Sequence, residues 1–168
     1  MFLEIFVLGL FPAAMAFAAA SDLVSMTISN RVSLILIAGF FVVAWLTGMD
    51  WSDIGRHLAA GAAVLVVAFI FFARGWIGGG DAKLAAATGL WLGFAHLMDY
   101  LLITSVAGGL LTIALIQVRG WPLPALLARQ KWIARLHSFD AGIPYGIALA
   151  LAGLMVYPDT PYMRALGA

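Results

Sequence analysis

Long apolar runs separated by short polar segments dominate the chain. Several of these runs approach the ~20 residues that a helix needs to cross the hydrocarbon core of a bilayer, although the fourth and the sixth are shorter. The pattern predicts an all-α, polytopic membrane protein with about six transmembrane helices, organised as a single domain over residues 1–168 without internal repeats. The apolar runs lie at residues 2–20, 32–49, 58–73, 84–97, 100–118 and 142–157.

The composition supports lipid as the main solvent. Hydrophobic residues make up 64% of the chain and charged residues only 10%, whereas soluble domains average about half and about a quarter. A net charge of +1 does not favour a nucleic-acid partner. The chain has no cysteine, which excludes disulfides, thiolate zinc sites and a cysteine nucleophile, and we expect neither a metal nor a cofactor.

Basic residues predict the orientation in the membrane. If the N-terminus lies outside, the cytoplasmic connections are residues 21–31, 74–83 and 119–141, and these contain most of the lysines and arginines. Because cytoplasmic loops carry an excess of basic residues, we expect an N-out, C-out protein. The longest connection, 119–141, is expected to be a loop anchored among the lipid headgroups, or alternatively a surface on which substrate docks.

Two aspartates lie at the ends of apolar runs, where burying their charge in the membrane would cost free energy. Asp22 closes the first apolar run and Asp81 opens the fourth, so two crossings separate them and both return to the cytoplasmic side. Either could be a simple interfacial cap, and for Asp22 alone that alternative stays open. Asp81 differs because it follows three glycines, which permit unusual backbone angles and the close approach of another chain. Those glycines are Gly78, Gly79 and Gly80.

Two carboxylates that share one site provide the chemistry of aspartic proteolysis. They titrate as a pair, so that one activates a water while the protonated partner polarises the peptide carbonyl. Lys83, two residues after Asp81, could bias that protonation, or could simply mark the cytoplasmic side. Gly89 and Gly93 form a small-xxx-small pair that is expected to pack the Asp81 helix near the Asp22 helix, and Gly108 and Gly109 are expected to act similarly.

Three stretches in order resemble the prepilin and preflagellin peptidases, a family of intramembrane aspartyl proteases. The run Gly78–Lys83 resembles the family's GxGD motif and its following lysine, and Asp22 with Ile28 and Asn30 is similar to the first catalytic aspartate and its downstream turn. The run 142–148, GIPYGIA, resembles the start of the family's last helix. Length and hydropathy fit best with the short peptidases of tight-adherence (Flp-type) pilus systems. Ser29 stands where that family usually has proline.

The resemblance implies catalytic Asp22 and Asp81, with Gly78, Gly79, Gly80, Lys83 and Asn30 in the active-site or substrate-binding loops. It implies an endopeptidase that removes a short cytoplasmic leader from a type IV-like prepilin or pseudopilin, whose helix lies in the lipid. Longer members methylate the new N-terminus through a cysteine-containing insert, which this chain lacks, so we expect no N-methyltransferase activity. A proton- or cation-coupled transporter using the same two aspartates remains the alternative, followed by a non-catalytic membrane subunit.

Overall fold

The computed structural model describes residue 4 and residues 6–167, and within these residues every regular element is helical. Short connections join the first four long elements, and two short helices follow before the chain returns to the bundle. The elements are a π-helical turn Phe6–Leu10, α1 Phe11–Ser25, α2 Asn30–Leu46, α3 Trp51–Ala73, α4 Gly79–Arg119, α5 Ala125–Ala128, α6 Lys131–His137, α7 Gly146–Val156, a 3-10 turn Tyr157–Asp159 and α8 Pro161–Gly167.

Three stretches are long and apolar enough to cross a membrane, namely Val7–Ser25, Trp51–Ala73 and Gly79–Arg119. Two shorter apolar helical stretches, Asn30–Leu46 and Gly146–Asp159, complete the bundle. The outer surface is strongly apolar, with side chains such as Phe69 and Leu102 more than 60% exposed, as expected of a surface that faces lipid. The prediction of an all-α membrane protein is confirmed, while the number of crossings and the orientation stay predictions.

The helix α4 is broken at Gly93, which has φ +63° and ψ 179° inside otherwise helical backbone. A straight helix of 41 residues would be about 60 Å long, twice the thickness of the hydrocarbon core. The second half instead runs back along the first, since Thr104 lines the same cavity as Asp81 and Leu97 lies beside Gly89. The apolar runs 84–97 and 100–118 therefore correspond to the two antiparallel halves, with the break earlier than the sequence predicted.

Small residues pack helices closely, although not always as the sequence predicted. Gly89 lies against Val64 of α3, and Gly61 of α3 lies against Leu90, so the first half of α4 packs on α3 at these glycines. The expectation that Gly89 and Gly93 hold this helix against the Asp22 helix is wrong, because Gly93 is the break itself.

The two glycines of the second half of α4 differ from each other. A Cβ atom added to Gly108 would overlap the ring of Tyr145, so this glycine does provide a close packing site, here for an aromatic side chain. Gly109 has nothing within 4 Å of such an atom. The packing role expected of the pair is therefore found at Gly108 alone.

Aromatic side chains hold the helices together at the end of the bundle that contains Gly93. The rings of Phe11 and Tyr157 stack with centroids 4.3 Å apart, and Trp91 is fully buried beside them. The indole Nε1 of Trp91 donates to the carbonyl of Leu36 at 2.8 Å, and the Tyr157 hydroxyl donates to the carbonyl of Val7 at 2.8 Å. These bonds satisfy the polar atoms of buried aromatic residues, and they link α4 to α2 and the 3-10 turn to the π-helical turn.

The segment 119–141, predicted as a loop, contains the short helices α5 and α6. The helix α6 is attached to the end of α1, because Arg135 donates to the carbonyl of Ser25 at 3.1 Å. Helix α1 itself ends at Met26, which adopts a left-handed conformation with φ 56°, and α2 begins after Ser29, whose hydroxyl accepts the Arg31 N–H at 3.3 Å. A turn of four residues, 26–29, therefore brings α2 back beside α1.

Candidate active site

Asp22 lies in the last turn of α1 and is almost fully buried, with 5% of its surface exposed. Its Oδ2 atom accepts a hydrogen bond of 2.7 Å from the backbone N–H of Gly146, the first residue of α7. A buried carboxylate is costly unless it is hydrogen-bonded, and a free N–H at a helix start is a suitable donor because the first turn has no intrahelical acceptors for it. The start of α7 therefore positions Asp22.

Gly146 has no room for a side chain. A Cβ atom at this residue would lie 2.8 Å from Asp22 Oδ2 and 2.7 Å from Ile28 Cδ1, both far shorter than normal contacts. The backbone of α7 approaches Asp22 this closely only because residue 146 is glycine.

Asp81 is the third residue of α4, directly after the glycine run. Its Oδ2 atom accepts the backbone N–H of Gly78 at 3.2 Å, an arrangement that ties the carboxylate to the helix start, where the helix dipole favours negative charge. Its Oδ1 atom is buried and has no hydrogen-bond partner among the described residues. Asp81 thus has one oxygen that is hydrogen-bonded, Oδ2, and one without a hydrogen-bond partner among the described residues, Oδ1.

Each of the three glycines before Asp81 has a close neighbour. A Cβ atom would lie 2.9 Å from Asp81 Oδ2 at Gly78, 3.2 Å from the Phe72 ring at Gly79, and 3.1 Å from Ile28 at Gly80. The glycine run therefore lets this turn fit between the end of α3, the Asp81 carboxylate and the turn after α1.

Ile28 lies between the two aspartates. Its side chain contacts the backbone of Gly80 on one side and of Gly146 on the other. Gly80 directly precedes Asp81 and Gly146 binds Asp22, so both carboxyl groups lie at the same end of the bundle. Asp22 and Asp81, which are 59 positions apart in the sequence, are thereby brought together.

Lys83 and Asn30 lie beside this pair without contacting it. The Lys83 ammonium donates to Asn30 Oδ1 at 2.9 Å, and both side chains are exposed. They lie at one end of a groove of about 520 Å³ between α2, α3 and α4. Among the described residues, Lys83 therefore bonds to Asn30 rather than to either carboxylate.

A second cavity, of about 340 Å³, adjoins Asp81 between α3, the two halves of α4 and α7. Its walls are mostly apolar, and Asp81, Thr104, Ser105 and Tyr145 supply the polar groups. The Asp81 side chain thus lies at the edge of a mostly apolar space.

Residue-by-residue reasoning missed the role of the segment before α7. Gly146 and Tyr145 stood out in the sequence only as part of the run 142–148, and nothing local indicated that they meet Asp22 and Asp81. Arg119, one of the basic residues of the connection 119–141 that predict the orientation, is buried and donates to two backbone carbonyls. No group of three or more His, Cys, Asp or Glu side chains that could hold a metal occurs in the described part of the chain.

These features define a class of protein, namely a helical membrane protein with two acidic side chains at the same end of its bundle. The model of the type IV leader peptidase family matches residues 9–113, more than half of the chain, and the protein belongs to this family. The matched range contains both Asp22 and Asp81.

One curated relative is the prepilin leader peptidase/N-methyltransferase of Legionella pneumophila, which is 33% identical over 79 residues. The match covers 47% of this chain but only 22% of that protein. The matched segment thus spans about a fifth of the length of this relative. No solved structure shows a significant match to the chain.

Proposed function

We propose that this protein is an intramembrane aspartyl endopeptidase that removes the leader from type IV-like prepilins, with Asp22 and Asp81 as its catalytic pair. The observation that carries the proposal is that these two carboxyl groups lie at the same end of the bundle, on either side of Ile28, and that Asp81 lines a cavity with mostly apolar walls. Membership of the type IV leader peptidase family supports the same activity.

The chemistry requires a shared proton. Two neighbouring carboxyl groups do not both ionise readily, so one remains protonated. The ionised group takes a proton from a water, which attacks the peptide carbonyl carbon. The protonated group donates to the carbonyl oxygen as charge develops, and a proton is then delivered to the leaving nitrogen as the C–N bond breaks.

The substrate follows from the position of the pair. A prepilin has a hydrophobic helix in the membrane and a short leader in the cytoplasm, so its scissile bond lies near the interface. The positive-inside pattern puts the connections 21–31 and 74–83, which flank the two aspartates, on the cytoplasmic side. The mostly apolar cavity beside Asp81 is suited to the hydrophobic residues that follow the scissile bond.

Two finer features belong to the same proposal. We assign the substrate to Flp-type pilins, because the chain resembles the short peptidases of tight-adherence systems. We also propose that the protein does not methylate its product, since it has no cysteine, and methylation in longer members is associated with a cysteine-containing insert.

The test is coexpression with an Flp-type prepilin in a host without its own leader peptidase, with mass measurement of the pilin N-terminus. Wild-type protein should release the leader and leave an unmethylated N-terminus, and Asp22→Asn and Asp81→Asn should each abolish cleavage while the protein still accumulates in the membrane. The exposed Asp140, on the connection 119–141, provides the matched control, and Asp140→Asn should cleave normally. Wild-type cleavage by either dyad variant would contradict the assignment of the pair. Proton-coupled flux in liposomes without a peptide product would favour the transporter.

A further inference from the structure

Arg119, the last residue of α4, is buried, which is unusual for an arginine near the membrane interface. Its side chain is 6% exposed, whereas interfacial arginines normally extend into the headgroup region. Its Nε atom donates to the carbonyl of Leu136 at 2.8 Å, and its Nη2 atom donates to the carbonyl of Gly142 at 2.8 Å. One guanidinium thus joins the end of α4 to α6 and to the segment that precedes α7.

The Gly142 bond lies four residues before the backbone N–H that binds Asp22. The segment 142–146 is therefore held at both ends, by Arg119 at Gly142 and by Asp22 at Gly146. Within it, Tyr145 packs on Gly108 and lines the cavity beside Asp81. Pro144 lies within this segment and its ring fixes φ, which limits how far the segment can absorb a shift at Gly142 without moving the N–H of Gly146.

The helix α6 is fixed from two sides. Arg119 holds the carbonyl of Leu136 in its last turn, and Arg135 of α6 reaches the carbonyl of Ser25 at the end of α1, three residues after Asp22. The connection between α4 and α7 is thereby tied both to the helix that bears Asp22 and to the helix that bears Asp81.

We propose that Arg119 is a positioning residue of the active site, which fixes the segment 142–146 so that Gly146 holds Asp22 and Tyr145 lines the cavity at Asp81. This inference rests on the proposed peptidase function. It differs from the topology role that the sequence indicated, because a topology marker needs only positive charge, whereas the two carbonyls are bound here by two separate nitrogens, Nε and Nη2, and lysine has only one nitrogen to offer.

The decisive variant is therefore Arg119→Lys, which keeps the charge and removes the fork. We expect kcat for prepilin cleavage to fall by about 10- to 100-fold, since small misplacements of catalytic groups cost about that much, with KM changed less than about threefold. The matched control is Arg129→Lys, at an exposed arginine on the same connection, which should leave both constants unchanged. Equal kcat values for the two variants would overturn the proposal.

A second readout does not depend on cleavage. Because the chain has no cysteine, Ala141→Cys introduces a single thiol next to Gly142 at a half-buried position. In detergent-solubilised full-length protein, combining this probe with Arg119→Lys should increase the rate of maleimide labelling at least about threefold, while combining it with Arg129→Lys should not. Equal labelling rates would show that Arg119 does not hold the segment.

The two readouts separate this inference from the proposed function. If the wild-type protein cleaves no prepilin, the peptidase proposal fails, and the labelling rates alone decide whether Arg119 holds the segment. If the wild-type protein cleaves and Arg119→Lys cleaves equally well, only the role of Arg119 is wrong. A lower kcat with unchanged melting temperature and faster labelling supports both proposals.

Discussion

The first half of α4 begins at Gly79, next to Asp81, and ends at Gly93. Its near end, at Asp81, and its far end, at Gly93, differ in how their polar groups are hydrogen-bonded. At the far end, the break at Gly93 releases backbone carbonyls, and side chains occupy them: His57 donates to Leu90 O at 2.7 Å and the Tyr162 hydroxyl donates to Trp91 O. At the near end, Asp81 Oδ1 is buried without a partner among the described residues, next to a cavity.

This difference separates a structural glycine site from a candidate catalytic one. Buried polar groups are normally hydrogen-bonded, and the two described carbonyls at the Gly93 end follow that rule, so their hydrogen bonds hold the helical hairpin together. At the near end, Asp81 Oδ1 has no hydrogen-bond partner among the described residues, and Asp81 lines a mostly apolar cavity. Glycines alone do not distinguish the ends, whereas the state of their polar neighbours does.

The largest expected effect comes from Gly146→Ala at the near end. The added methyl group would overlap Asp22 Oδ2 and Ile28 Cδ1, so either the carboxylate or the start of α7 must move. We expect prepilin cleavage to fall by about 100-fold, since a misplacement of about 1 Å costs this much. The rate of cleavage by purified protein measures it. Gly109→Ala, where a Cβ atom meets nothing within 4 Å, is the matched control and should cleave at the wild-type rate.

Gly93→Ala tests the far end and should mainly reduce stability. The residue has φ +63°, which strains any L-residue, and the added Cβ would lie 2.8 Å from the His57 ring. Together these should destabilise the fold by about 2 kcal/mol. Thermal unfolding in detergent measures the loss, again against Gly109→Ala. Cleavage per folded molecule should stay near that of the wild type, and a selective loss of kcat would mean that the two ends are coupled.

Tyr162→Phe removes one of the two donors that occupy the freed carbonyls. We expect the fold to lose about 1 kcal/mol, since Trp91 O is buried and loses its hydroxyl partner while the ring volume is kept. The melting temperature should therefore fall less than in Gly93→Ala. Activity at temperatures below unfolding should be unaltered, and an unchanged melting temperature would show that this hydrogen bond adds nothing to the hairpin.

Lys83→Gln, at the near end, should have the smallest effect. The ammonium bonds to Asn30 and both side chains are exposed, so the pair is expected to contribute at most about 1 kcal/mol. Cleavage should change less than about fivefold, and Asn30→Ala should have a similar effect. A much larger loss in Lys83→Gln alone would indicate that Lys83 acts on the aspartate pair directly.

Much of the helical architecture could be predicted from the sequence, because the hydrophobic length of a membrane helix is a local property. The apolar runs correspond to the helices of the bundle, and Asp22 and Asp81 were recognised as a pair from their places at the ends of apolar runs. Because two crossings separate the two aspartates, the sequence predicts both at one end of the bundle. There Ile28 lies against Gly80, which precedes Asp81, and against Gly146, which binds Asp22. The glycine run before Asp81 was also recognised, although the neighbour of each glycine was not.

Contacts between residues that are distant in the sequence decided the features that the local pattern did not predict. Gly89 and Gly93 look alike in the sequence, yet one packs on Val64 and the other breaks the helix, because only Gly93 has His57 and Tyr162 nearby to take up the freed carbonyls. The bond from Gly146 to Asp22 joins residues 124 positions apart, and the burial of Arg119 depends on carbonyls 17 and 23 positions away. The sequence by itself determined which segments form apolar helices and which acids lie at their ends. Only the tertiary structure decided which backbone groups hold those acids, because a hydrogen bond depends on distance and direction that local pattern does not encode.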